Sequence, residues 1–345
     1  MNSKRTILSC LVLLALSVPA RALEPWADKG LPVTDGLEMW YDGSAQAGAR
    51  VARFLAMPLH TAPVDYWFDG SGNQRHLSQL TPAQRPHFRV VGNSVCVRFD
   101  GSNDFLAAAN AGLGWTNLTV FVVANPRSNG GLFRGFVSGG TIGRNDYNSG
   151  FNLDLGPTTT PGLSVVNAEG AGFNGMRNLL KGAFPFGAFH TFTLALAPGK
   201  EGVQLFVDGK EGGKRDRGTG SIRLDAFTVG ARYYSNDSEP SYAQGFLDGD
   251  VAEVIVYSRV LEPEERRKVE AYLAAREAVW QSANEQNLTG IRPLQPVENP
   301  PAIQMLVPGF TVRPFPLDLP NLNNVKYRPD GKLFALGYNG HIWLL

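Results

Sequence analysis

The chain has 345 residues, 43% of them hydrophobic, and its 32 Lys and Arg nearly balance 31 Asp and Glu for a net charge of +1. That balance argues against a partner held by bulk electrostatics, such as nucleic acid or an anionic membrane. The length allows one large β domain or two ordinary ones, and 39 Gly with 23 Pro suit many short strands joined by tight turns.

The amino terminus reads as a processing segment. Lys4 and Arg5 form a basic region, Ile7 to Val18 an apolar one, and Ala20-Arg21-Ala22 a small-residue cleavage site. A signal peptide over residues 1–22 is expected, which sends the mature chain to the periplasm or outside the cell. The apolar run is shorter than the roughly 20 residues a bilayer span needs, so no span is expected after cleavage. Cleavage removes Cys10 and leaves Cys96, which lies in the apolar stretch Val95-Cys-Val-Arg-Phe99 and reads as a buried, inert thiol. His60, His76, His87, His190 and His341 are scattered and read as structural. Zinc and haem motifs, phosphate loops and nucleophile elbows are absent.

From Leu37 onward short strands follow one another. Leu37-Glu-Met-Trp-Tyr41 precedes Asp42-Gly43, and Val64-Asp-Tyr-Trp-Phe-Asp69 runs into the turn Gly70-Ser-Gly-Asn73. Leu118-Thr-Val-Phe-Val-Val-Ala124 is continuously apolar, as a strand buried on both faces should be. His190 to Leu196 alternates, with Phe192, Leu194 and Leu196 on one face. Val203 to Val207 alternates too and ends in the hairpin signal Asp208-Gly209. Phe227 to Ala231 precedes a polar loop from Tyr233 to Tyr242. Phe246 to Tyr257 is the last strand of the set; its Glu253 is expected to share a face with Val251, Ile255 and Tyr257. A closing helix then starts at Pro263, with Glu264 and Glu265 in its first turn and Val269, Tyr272 and Leu273 on its apolar face. About a dozen short strands with one late helix predict an all-β antiparallel sandwich.

An ordered set of spaced motifs narrows this. Leu37, Trp40 and Asp42 are followed by Trp67, Asp69, Ser71, Gly72 and Asn73, then Arg85-Pro86, Val97 to Gly101 and Asp104-Phe-Leu106. Gly249 to Val254, Tyr257, Arg259, Leu261, Glu265-Arg266 and Tyr272-Leu273 complete it. The set resembles the laminin G-like domains of the concanavalin A-like lectin/glucanase superfamily, and is most similar to those in large secreted proteins of planctomycete-type bacteria. The resemblance implies a concanavalin A-like jelly-roll over residues 23–280 and a bacterial source.

After the helix the composition turns polar and proline-rich, and residues 281–305 read as a linker. Residues 306–345 read as a short β-hairpin fragment, with turns at Asp330-Gly331 and Asn339-Gly340. This stretch resembles the start of the sugar dehydrogenase-like β-propellers, and is expected to be part of one blade.

Three chemistries are open. Asp69 and Asn73 on a tight turn offer hard oxygen ligands for Ca²⁺, and the resemblance implies Glu253 or Asp250 as the acidic partner. The alternative is that Asp69 caps its own turn and Glu253 pairs with an arginine such as Arg98 or Arg259. Asp248, Asp250 and Glu253 superficially resemble a laminarinase-type catalytic strand. Retaining hydrolysis needs two carboxyls on one face, and Glu253 falls on the other unless a bulge intervenes. The loops Arg144-Asn-Asp-Tyr147, Gly170-Ala-Gly-Phe-Asn174 and Arg232-Tyr-Tyr-Ser-Asn-Asp237 combine aromatics with amides and charges, the residue types that grip sugars. Asn145, Tyr147, Arg232, Tyr233, Tyr234 and Asn236 are the candidate ligand contacts; ordinary turn chemistry is the competing account of each loop. The sequence reading is a secreted, non-catalytic module that recognises a polysaccharide or a cell-surface glycan or protein. The alternatives are the amino-terminal portion of a propeller enzyme and a glycoside hydrolase.

Overall fold

The apolar run at Leu118–Ser128 does form a strand buried on both faces. Val120, Val122 and Ala124 enter one hydrophobic cluster; Phe121 and Val123 enter another on the opposite side. Such a strand needs a covering layer on each face. In this computed structural model, which describes residues 22–91, 94–288, 322–327, 330, 332–337 and 342–344, those layers are a second sheet and a helix. The chain divides into two compact units, Met1–Ile291 and Arg292–Leu345.

The first unit is an antiparallel β-sandwich. In spatial order its larger sheet runs Phe173–Asn174, Lys210–Arg217, Gly199–Val207, His190–Leu196, Leu118–Ser128, Asp248–Tyr257, Ser94–Asp100 and His87–Val91, and Leu37–Asp42 also pairs with Asp248–Tyr257. The smaller sheet runs Asn167–Gly170, Phe151–Asp154, Gly135–Gly140, Ala226–Val229, Leu106–Ala109, Leu77–Ser78 and Tyr66–Trp67. Phe192, Leu194 and Leu196 meet Phe136, Phe151, Leu153 and Phe227 between the sheets, and the Phe136 and Phe192 rings stack at 4.7 Å. The hairpin at Asp208-Gly209 has φ of 51° and 72°, the left-handed pair a two-residue turn requires.

The helix Pro263–Leu288 seals the outer face of the larger sheet. Val269, Leu273 and Trp280 bury against Phe121, Phe189, Ile255 and Tyr257. Burying Val269 and Leu273 stabilises the helix by about 1.5–3 kcal/mol each. Polar residues register the same interface: Thr193 donates to Glu270 and Thr191 to Glu277, each at 3.0 Å. Cys96 is buried beneath this layer, and burial pushes its thiol well above the ordinary range.

The strand Asp248–Tyr257 departs from simple alternation. Its register with Leu118–Ser128 slips between Val251 and Glu253, a β-bulge at Ala252. Val251, Val254 and Val256 therefore face the sandwich core, while Ala252, Ile255 and Tyr257 face the helix. The expected sharing of a face by Val251 and Glu253 is corrected accordingly. The extra residue moves Glu253 to the helix side, where it meets Arg276.

Other boundaries also shift. The helix runs to Leu288, so its last turns occupy the start of the stretch read as a linker from residue 281. The polar loop after Phe227 contains a small ladder, Arg232–Tyr234 paired with Tyr242–Gln244. The second unit has three antiparallel strands, Leu322–Tyr327, Leu333–Gly337 and Ile342–Leu344, where a hairpin was expected. Residues 1–21 of the expected signal segment and residues 289–305 of the linker lie outside the described residues. No helix among the described residues is long and apolar enough to cross a membrane.

Candidate ligand-binding site

The predicted ligand contacts converge on Arg232. Gly230, at φ +83°, ends the strand Ala226–Val229 and turns the chain into Arg232–Tyr234. Gly135 on the neighbouring strand lets that segment approach. A Cβ there would stand 2.8 Å from Cγ of Arg232 and equally close to the backbone of Ala231. Arg232 is thereby fully buried, and a buried guanidinium needs its fork of donors filled.

Three carboxylates fill it. Nε and Nη2 donate to Asp146 at 3.2 and 2.8 Å, and Nη1 to Asp154 at 2.9 Å, with Glu169 3.2 Å from the same nitrogen. Asp146, in the first turn of the short helix Asp146–Ser149, also accepts from Asn152 and from the Tyr233 amide. Burial works against the charge on Arg232, but the carboxylates outweigh it and raise its pKa. Burial likewise lifts Asp154 to about 7, although Arg232 pulls it down.

Above this floor opens a cavity of about 270 Å³, lined by Phe133, Tyr147, Glu169, Arg177, Arg232, Tyr234 and Asn236. The guanidinium carbon lies 4.6, 5.4 and 5.9 Å from the ring centroids of Tyr234, Phe133 and Tyr147, within cation–π range. Arg177 pairs with Glu169 at 2.9 Å and is largely exposed, so it forms a rim. The Tyr147 hydroxyl accepts from Asn145 Nδ2 at 2.6 Å and donates to Asn236 Oδ1 at 2.8 Å. The result is an aromatic wall with amide, hydroxyl and charged groups around it, able to take C–H faces and hydroxyls together.

The sequence candidates divide by role. Tyr147, Arg232, Tyr234 and Asn236 line the cavity. Asn145 ties loops together, donating to the Ser235 carbonyl and accepting from Ser235 N and Ser241 Oγ. Tyr233 takes part through its amide, which Asp146 fixes. The loop at Gly170–Asn174 goes elsewhere: Phe173 packs under Arg215. Phe133, Asp154, Glu169 and Arg177 were missed. A charged residue closing the alternating strand Phe151–Asp154 was the available signal for Asp154; the others sit in short segments without a pattern.

The residues offered for Ca²⁺ form separate sites. Asp69 is buried and accepts from Trp40 N, Ser71 N, Ser71 Oγ and Arg75 N at 2.9–3.0 Å, which caps its own turn. Asn73 donates to the carbonyls of Leu37 and Glu38. Asp250 is held by Arg89 and, in bidentate fashion, by Arg98. Glu253 accepts from the Trp40 indole at 2.7 Å and from Arg276 at 3.0 Å, so its arginine is neither Arg98 nor Arg259. Among the described residues, no group of three or more His, Cys, Asp or Glu is arranged to hold a metal ion.

The acidic strand is likewise engaged by arginines. Arg127 grips Asp248 at 2.6 and 2.9 Å, while Asp250 and Glu253 are buried. The bulge brings Glu253 off the core face, but under the helix. There Arg276 also reaches Asp42 at 2.6 Å and Asp28 at 3.1 Å. Burial, reinforced by nearby Asp42, pushes Glu253 up to about 8.

Residues 100–265 match a laminin G family model described as the Concanavalin A-like lectin/glucanases superfamily. No curated protein matches the chain. Among solved structures, Trypanosoma rangeli sialidase in complex with sialic acid is similar at 14% identity and a TM-score of 0.44, over 73% of this chain and 36% of that one. Domain 4 of AbnA, an extracellular arabinanase from Geobacillus stearothermophilus in complex with arabinotriose, matches at 11% identity and a TM-score of 0.42, over 68% and 98%. The receptor-binding domain of botulinum neurotoxin type G matches at 12% identity and a TM-score of 0.38, over 64% and 52%. The chain spans about a third of the length of the sialidase chains it matches.

Proposed function

We propose that the first unit is a non-catalytic recognition module, exported from a bacterial cell, that binds a polysaccharide or cell-surface glycan in the Arg232 cavity. One observation supports this reading above the rest. Loops far apart in sequence bring Phe133, Tyr147 and Tyr234 around a buried arginine whose charge is already satisfied. An arginine so neutralised makes a rigid polar floor and leaves the aromatic faces and rim amides for a ligand. That suits hydroxyl-rich, uncharged surfaces better than an anion. A glycan array probed with the intact chain tests it, with Tyr234→Ala as control. Binding of a defined glycan class that Tyr234→Ala abolishes supports the reading; an array without any such class refutes it. Amino-terminal sequencing of the exported protein, expected to begin at Leu23, tests the signal segment.

A second reading takes the chain as the amino-terminal portion of a sugar dehydrogenase-like propeller enzyme. The antiparallel strands Leu322–Tyr327, Leu333–Gly337 and Ile342–Leu344 favour it, since propeller blades are antiparallel sheets. A reading frame that continues past Leu345 into repeated blades supports it; a frame without them removes it. The hydrolase reading has less support, because the acids it needs are held by Arg127, Arg89, Arg98 and Arg276.

A further inference from the structure

Beside the aromatic cavity lies a second, of about 460 Å³, whose polar lining includes Arg144, Asn145, Asn148, Ser235, Glu239 and Ser241. The same two loops build both. Asn145 and Ser235 face one cavity; Tyr147 and Asn236, a step further along each loop, face the other. The partition between them is the hydrogen-bonded run Asn145–Tyr147–Asn236, and the bond from Tyr147 to Asn236 at its crest is open to solvent.

Size and charge both bear on the ligand. The aromatic cavity, at about 270 Å³, falls just under the ~300–1,000 Å³ usual for ligand sites, so it suits a single ring; the second lies within that range. In the aromatic cavity the arginines are matched by carboxylates. In the polar cavity Arg144 and Glu239 are exposed and of opposite sign, and neither forms an ion pair among the described residues. Neither cavity presents an excess of positive charge: three carboxylates face two arginines in the first, and one faces one in the second. A uronate, sulfate or sialate entering the aromatic cavity would be desolvated beside Glu169, and in the polar cavity what it gained at Arg144 would be offset by Glu239. Hydroxyls, by contrast, find donors and acceptors in both.

We propose that the two cavities are adjoining subsites for one uncharged oligosaccharide of at least two units, lying across the Asn145–Tyr147–Asn236 partition. The ring at the aromatic end packs on Tyr234, Tyr147 and Phe133. The next is held by hydroxyl contacts to Arg144, Asn148 and Glu239. This rests on the carbohydrate reading above and adds the length and charge of the ligand.

Calorimetric titration of the full chain tests it, using the gluco, manno, xylo and arabino series from monosaccharide to tetrasaccharide, with oligogalacturonides as charged counterparts. Affinity is expected to rise at least ~10-fold between monosaccharide and trisaccharide, then level off, and to be insensitive to added NaCl. Arg144→Ala is expected to erase the gain with length; Tyr234→Ala is expected to abolish binding at every length. Equal affinity for one unit and three, or a gain with length that survives Arg144→Ala, overturns the paired subsites while the carbohydrate reading stands. A salt-dependent preference for oligogalacturonides overturns the uncharged ligand. If no sugar of any length binds, the carbohydrate reading falls and the subsites fall with it.

Discussion

Two arginines, the buried Arg232 and the half-buried Arg276, gather carboxylates in different parts of the sandwich, and they do different things. Arg276 projects from the closing helix and joins Glu253, Asp42 and Asp28. The Trp40 indole completes the cluster by donating to Glu253. Arg232 joins Asp146, Asp154 and Glu169. The first cluster is roofed by a helix and pins it to the sheet. The second is floored by a sheet and opens into an aromatic cavity. A concentration of charges therefore does not by itself mark a site; what lies above it decides.

The comparison can be broken most forcefully at Arg232. Arg232→Met leaves Asp146 and Asp154 buried without their partner, at a cost of about 3–5 kcal/mol. Thermal unfolding should show a large loss of stability, and an unchanged midpoint would mean the cluster is not built as described. Arg276→Met should cost less, about 1–3 kcal/mol, because Arg276 is 23% exposed where Arg232 is 2%, so solvent already screens part of its pairing. If the two variants are destabilised equally, the distinction between floor and staple weakens.

Proton uptake sharpens it further. Burial raises Asp104 and Asp154 from 3.8 to about 7 and Glu253 from 4.5 to about 8. Between those limits the native chain holds protons that the unfolded chain has released. What these three groups contribute to stability is thus fully present below the unfolded values and is lost as pH rises towards 8. Melting at pH 5 should exceed melting at pH 8.5, and Asp104→Asn should flatten part of the slope. A midpoint that climbs steadily over that interval contradicts these burials. The smallest effect concerns calcium. With Asp69 occupied by four hydrogen bonds and Glu253 by Arg276 and Trp40, EDTA should leave the melting temperature where it was. A clear drop on chelation would place an ion at this turn after all.

The fold was legible where periodicity is strong. The doubly apolar run at Leu118, the alternation at His190 and the Asp208-Gly209 turn each declare a backbone state locally. The amphipathic start of the closing helix was legible too, but its end was not: the polar stretch after Trp280 continues helical as far as Leu288. The bulge at Ala252 left no local trace. It is a register slip against a strand about 130 residues away, and it decides which way Glu253 points. The cavity was half legible. Tyr147, Arg232, Tyr234 and Asn236 stand in loops rich in aromatics and amides, and that composition pointed to them. Phe133, Glu169 and Arg177 reach the site only through tertiary packing, so nothing near them in sequence declares it.

The account turns on the claim that ligands meet the Arg232 cavity and not the Arg276 cluster. Chemical-shift mapping during titration with a neutral trisaccharide reads both at once. The account predicts shifts at the Arg232 Nε–H and at Tyr147, Tyr234 and Asn236, with the Trp40 indole N–H unmoved. Shifts centred on Trp40 and Arg276, or on a surface remote from both, would contradict it.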